Sequence, residues 1–209
     1  MGMKTFFSRM LLKGALLLCV TAPAVADTPV EELRGLLGEF QSLQGEFSQT
    51  LSDADGNALQ DSAGEFIVQR PGKIYWHTKA PFEQTLVSDQ QLLWLYDPDL
   101  EQVTIQAADE SLQQTPLLLL SGDVDRISEY FHVAKTSEGR FELQPLKGEA
   151  AFQHLVLTFE DKKLNSVLLS DGLGQATLLS FSRTQANVQV SPDTFTFTIP
   201  PGTDIIRDE

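Results

Sequence analysis

The chain has 209 residues, with 29 Asp and Glu against 15 Lys and Arg, a net charge of −14 and one cysteine. This length fits one domain. The acidic excess argues against binding nucleic acid or resting permanently on anionic lipid, since both are polyanions. One thiol excludes an internal disulfide and a thiolate metal cluster.

The first 26 residues have the three parts of a secretory leader. Lys4, Arg9 and Lys13 supply positive charge, Gly14 to Val20 form an apolar stretch extended upstream by Leu11 and Leu12, and Ala24-Val25-Ala26 offers small residues for cleavage. We expect cleavage before Asp27, leaving residues 27–209 as one exported domain. A membrane anchor needs about 20 apolar residues, and Lys13, Thr21 and Pro23 make this stretch shorter. Cys19 lies within the leader and follows Leu18, where a lipidation signal needs a small residue. The mature chain is therefore expected to carry neither lipid nor cysteine.

Thr28-Pro29-Val30-Glu31 predicts a helix start, with Thr28 as cap, Pro29 in the first turn and Glu31 completing a capping box. Val30, Leu33, Leu37, Phe40 and Leu43 continue it as one apolar stripe. Near Gln44 the period changes to two, with Phe47 and Leu51 in alternation. The Asp53–Asn57 turn then introduces short strands at Ala63–Arg70, Ile74–Thr78, Glu83–Ser88, Leu92–Asp97 and Gln102–Gln106. Thr115-Pro116 opens a run of four leucines, and Asp123 can cap a second helical turn with Val124, Ile127 and Tyr130. A second strand set follows at Phe131–Lys135, Phe141–Pro145, Gln153–Glu160, Asn165–Ser170, Ala176–Arg183 and Thr194–Ile199. The short connections favour one large, curved antiparallel sheet with a few helices on one side.

Leu92-Leu93-Trp94-Leu95-Tyr96 and Phe66-Ile67-Val68 are apolar on both faces, unlike strands with one wet face. They require cover on both sides or an apolar cavity on the concave side, and the pattern alone leaves both open. Enzyme signatures are scarce. His77, His132 and His154 are far apart with no second ligand at metal spacing, and no nucleophile elbow, phosphate loop or dinucleotide fingerprint occurs. Asp97-Pro98-Asp99 reads as a tight turn as readily as a carboxylate pair. We expect no catalysis, metal or cofactor. Arg70 ends an apolar strand just before Pro71. Either it is an exposed strand end, or its five-donor fork reaches over the sheet to helix carbonyls.

Together, Arg70-Pro71-Gly72-Lys73-Ile74-Tyr75-Trp76, Pro81, Leu86-Val87-Ser88-Asp89 and Leu93-Trp94-Leu95-Tyr96-Asp97-Pro98 resemble the outer-membrane lipoprotein carrier (LolA) family. Phe47-x-Gln49, Thr115-Pro116, Phe195-Thr196-Phe197-Thr198 and Pro200-Pro201-Gly202 extend the resemblance over the mature chain. Two positions depart from the pattern: Gln90 replaces the glycine of Val-Ser-Asp-Gly, and Ile74 stands where relatives can have an aromatic. The resemblance implies a mainly β (α+β) fold: an unclosed antiparallel β-barrel with an α-helical lid over a hydrophobic concave face. It implies a monomeric periplasmic chaperone. Lipoprotein cargo would come from an inner-membrane LolCDE-type ABC complex and go to an outer-membrane LolB-type receptor lipoprotein, with no stable membrane insertion. Arg70 is then expected to hold the lid shut, and Phe47, Phe66, Val68, Ile74, Trp76, Leu92, Trp94, Leu118 and Leu119 to form the acyl-chain cavity. The alternative is a periplasmic lipid-binding or sensor module of related half-barrel fold. The receptor itself would need a lipidated terminal cysteine, which Leu18-Cys19 does not provide.

Overall fold

The computed structural model describes residues 27–108, 117–146 and 152–207, and only the backbone at Ala80, Leu117 and Leu118. The expected leader with Cys19, and Thr115-Pro116, lie outside these residues. Helix α1 spans Pro29–Gly38 and has the full capping box, with Thr28 N–H donating to Glu31 Oε2 at 2.9 Å. It ends before Phe40, so Leu43 falls in the following strand instead of extending the helical stripe. Leu33 and Leu37, one turn apart, are fully buried.

The strands form two meanders. The first is β1 (Ser42–Ser52), β2 (Ala58–Gln69), β3 (Lys73–Ala80), β4 (Gln84–Asp89), β5 (Leu92–Asp97) and β6 (Gln102–Ala107). The second is β7 (Phe131–Ser137), β8 (Arg140–Pro145), β9 (His154–Glu160), β10 (Lys163–Ser170) and β11 (Ala176–Ala186). Between them come α2 (Leu117–Ser121), a 3-10 turn at Val124–Arg126 and α3 (Ile127–Tyr130). With a last strand β12 (Asp204–Arg207), antiparallel pairing of β1 with β11 joins the meanders into one 12-stranded sheet, ordered β12-β6-β5-β4-β3-β2-β1-β11-β10-β9-β8-β7. β7 and β12 are its two edges, so the barrel is unclosed.

The end of the chain departs from the sequence reading. Thr194–Ile199 is not a strand: Pro192–Phe195 forms a 3-10 turn, and the last strand is β12 (Asp204–Arg207), parallel to β6. This segment straps the outer face of the first meander. Phe195 is buried there beneath the Lys73 ammonium, and the Phe197 ring lies 5.7 Å from that of Tyr96. Outer-face Val87 and Ile105, paired with Trp94 on its two neighbouring strands, are buried beside it. The double-sided apolar character of β5 thus has one explanation per face.

On the inner face, Leu33, Leu37 and Phe40 join Leu119, Leu120 and Ile127 against Phe66, Val68 and Ile74 in one buried cluster. This cluster is a packed core, and it fills only the part of the inner face that the helices cover.

Candidate functional site

Arg70 follows the last residue of β2, at a cis Arg70–Pro71 peptide. Its backbone is held from several sides. Arg70 N–H donates to Gln41 O at 2.8 Å and Gly72 N–H to Ser121 O at 2.8 Å, while the buried Ser88 hydroxyl donates to Gly72 O at 2.9 Å. The guanidinium donates to four carbonyls, three on the two covering helices and one, Phe40 O, just past the end of α1. Nη1 bonds Leu37 O, and Phe40 O at 3.2 Å; Nη2 bonds Leu119 O at 2.9 Å; Nε bonds Leu120 O at 3.2 Å. Its Cζ also lies 4.3 Å from the Phe40 ring centroid.

Leu37 O, Leu119 O and Leu120 O belong to the C-terminal ends of α1 and α2, where the last turns have no intrahelical donors and the helix dipole is negative, and Phe40 O lies two residues past α1. One cation therefore satisfies both helix ends at once. Burial pushes the Arg70 pKa down to about 10, partly offset by the Asp123 carboxylate. The group remains charged at neutral pH. The expected reach from the strand end to helix carbonyls is present. Gly72 and Ser88 stand in the motif stretches, but the roles of Gly72, Ser88 and Ser121 in fixing this loop carry no signal in the sequence, since β4 is itself mostly polar.

Beyond the helices the inner face opens into a cavity of about 780 Å³. Trp76, Leu86 and Leu95 line one wall, Val167, Leu169, Leu179 and Phe181 the other, and Leu120 of α2 closes one end. Its volume falls within the roughly 300–1,000 Å³ of small-molecule sites. Trp76 is set by aromatic stacking: Phe47 lies 4.1 Å away nearly parallel, and Phe66 at 5.4 Å. Gly64 makes room for this arrangement, since a Cβ there would fall 2.7 Å from the Phe47 ring and 1.9 Å from His77 O. Phe82 and Leu100, on the β3–β4 and β5–β6 connections, stand exposed at the mouth.

Of the nine residues expected in the cavity, Trp76 lines it. Phe47, Phe66, Val68, Ile74 and Leu119 lie in the packed core beneath and beside it. Leu92 and Trp94 require correction. Leu93 and Leu95 take the inner face, so strand alternation puts Leu92 and Trp94 on the outer one, toward the C-terminal strap. The Leu118 side chain lies outside the described residues.

Other chemistry stays peripheral. His77 Nδ1 lies 3.0 Å from Thr85 Oγ1 and His154 Nδ1 3.0 Å from Glu142 Oε1, both cross-strand contacts. Asp97 Oδ1 accepts the Leu100 N–H across the turn. No group of three metal-ligating side chains occurs among the described residues, and none of their helices is long and apolar enough to cross a membrane.

The family model described as outer membrane lipoprotein carrier protein LolA matches residues 38–198. An outer-membrane lipoprotein carrier protein of Pseudomonas aeruginosa is 43% identical over 208 residues, covering 98% of each chain. One from Azotobacter vinelandii is 39% identical over 203 residues, covering 96% of this chain and 98% of its own. Among solved structures, a LolA superfamily protein from Nitrosomonas europaea aligns with a TM-score of 0.53 at 11% identity, covering 82% of this chain and 99% of its own, a likeness of fold alone. By the family match across most of its length and the identity to these relatives, this chain belongs to the LolA family of outer membrane lipoprotein carrier proteins.

Proposed function

We propose that this protein is a periplasmic carrier of acylated lipoproteins. It takes cargo from an inner-membrane ABC extraction complex, shields the acyl chains in the inner-face cavity and releases them to an outer-membrane receptor lipoprotein. It catalyses no reaction. The observation that carries this reading is a largely apolar cavity of about 780 Å³ ending at a helix pair held by one arginine, in a chain of the carrier family. The leader at residues 1–26 supports export, with release before Asp27 leaving the carrier free of Cys19 and free to diffuse.

The thermodynamics suit a carrier better than a storage protein. Each buried methylene contributes roughly 0.8 kcal/mol, so shielding part of one or two acyl chains keeps cargo in solution. In this reading the closed form is incompletely open to cargo, and affinity falls in proportion to its population. Arg70 sets that population, because opening must break its bonds to both helix ends. Cargo then moves down a gradient of affinity toward the receptor without an energy source in the periplasm.

The test is direct. Full-chain protein is exported, purified from the periplasm and mixed with a triacylated lipoprotein in detergent, which is then diluted. The lipoprotein should stay soluble and co-migrate with the carrier, and depletion in the native bacterium should strand lipoproteins at the inner membrane. Aggregation of the cargo despite excess carrier, with normal lipoprotein sorting on depletion, would overturn the reading.

A further inference from the structure

The cover over the core is made of two pieces with different neighbours. Helix α1 packs mainly against β7, the 3-10 turn and α3, while α2 packs against β2. Arg70 must nevertheless reach Leu37 O and Phe40 O on one side and Leu119 O and Leu120 O on the other. A guanidinium is a rigid planar fork. The two helix ends must therefore be held at one spacing for a single arginine to bridge them.

A second arginine can set that spacing. Arg34 lies on α1, one turn before Leu37. Its Nη2 donates to Asp125 O at 2.6 Å in the 3-10 turn and to Ser128 Oγ at 2.7 Å in α3. That turn follows α2 closely, with only Gly122 and Asp123 between Ser121 and Val124. The Asp123 carboxylate accepts the Asp125 N–H at 3.0 Å, so both backbone groups of Asp125 are held. Arg34 Nε, by contrast, is buried with no hydrogen-bond partner, the one such side-chain atom among the described residues. An orphaned buried donor costs stability, and a guanidinium turned to water would avoid that cost. The inward placement is explained by what Nη2 holds.

We infer that Arg34 is a positioning residue for the Arg70 latch. By tying the middle of α1 to the turn that follows α2, it fixes α1 relative to α2. Both pairs of carbonyls then stay within reach of one guanidinium. Glu32, on the same helix, accepts a bond from Lys135 of β7 at 2.8 Å. That tie has no such consequence, because β7 carries none of the carbonyls that Arg70 holds. The purpose of the latch rests on the carrier reading above; the placement of its acceptors does not.

The test follows the Arg70 Nε–H proton by NMR, in full-chain protein without cargo. Its bond to Leu120 O should make it exchange slowly with water. Arg34→Met keeps the apolar stem and should speed this exchange about tenfold, as expected for losing two hydrogen bonds from a charged donor. Ser128→Ala, at an exposed position, removes one of the two acceptors and should speed it about threefold. This milder variant keeps the test decisive if Arg34→Met unfolds. Glu32→Gln should leave the proton within about twofold of the wild type. In an Arg70→Leu background, Arg34→Met should not further speed backbone exchange in α1 and α2, because no latch is left to position. An unchanged Arg70 proton in both Arg34→Met and Ser128→Ala would overturn the inference. So would an equal change in Glu32→Gln, or a full added effect in the Arg70→Leu background. Any of these results leaves the carrier reading to its own test with lipoprotein.

Discussion

The inner face of this sheet has two ends made of similar residues and put to opposite use. At the covered end Phe66, Val68 and Ile74 meet Leu33, Leu37 and Phe40 and are buried. At the open end Trp76, Leu86, Leu95 and Leu179 meet a cavity of about 780 Å³. Their large apolar residues do not separate them. What differs is the helical cover, which is shorter than the strands and is pinned to the sheet at one corner by Arg70. Strands extending past their lid produce a cavity without any special cavity residues.

The largest effect should follow removal of the pin. Arg70→Leu leaves four carbonyls, three of them at helix ends, without their donor, and should cost about 4 kcal/mol against opening of the covered end. Hydrogen exchange should show the loss confined to α1 and α2, while β9–β11 keep their protection. In a transfer assay this variant should hold cargo longer than the wild type. Arg70→Lys should recover only part of the effect, because an ammonium lacks the fork that reaches both helix ends.

Matched leucine truncations sharpen the contrast. Leu37→Ala, in the fully buried core, should cost about 3 kcal/mol in denaturant unfolding. Leu95→Ala, facing the cavity, should cost about 1 kcal/mol, since one side of this leucine already lacks packing partners. Only the second should weaken binding of an apolar dye. Similar stability losses at both positions would mean that the open end is packed in solution.

A smaller effect concerns the turn that positions Ser88. Gln90 takes φ 94°, a conformation suited to glycine, while Asp89 Oδ1 accepts the Gln91 and Leu92 N–H groups to hold the turn. Gln90→Gly should stabilise the protein by about 1 kcal/mol, read as a higher Tm.

The smallest expected effect is with pH. Burial lowers the Arg70 pKa from the ordinary guanidinium range to about 10, so only above about pH 10 does the unfolded chain hold more protons than the folded one. Lid opening measured from neutral to mildly acidic pH should therefore show no titration from this group. A step in that range would assign the latch to another residue.

Much of this was legible in the sequence. The capping box fixed the start of α1, short turns separated the strands, and the isolation of Arg70 before Pro71 marked it. The faces of β5 were not legible, because alternation carries no information when both faces are apolar. The residues that decide it, Phe195 and Phe197, arrive at the far end of the chain. They were themselves read as a strand from alternation that instead serves side-on packing. The division of the inner face was equally hidden, since it depends on how far α1 and α2 reach. Phe66 looks like a cavity residue in sequence and sits in a core because helices lie over it, and Leu119 does so because it belongs to that cover.

The central claim is that acyl chains occupy the inner face at its open end. A photo-crosslinking side chain at Leu179, in the cavity, and another at Leu92, on the outer face, compare the two sites on the same protein. With a triacylated lipoprotein bound, the account predicts strong crosslinking from position 179 and none above background from position 92. Equal crosslinking from both, or from position 92 alone, would contradict it.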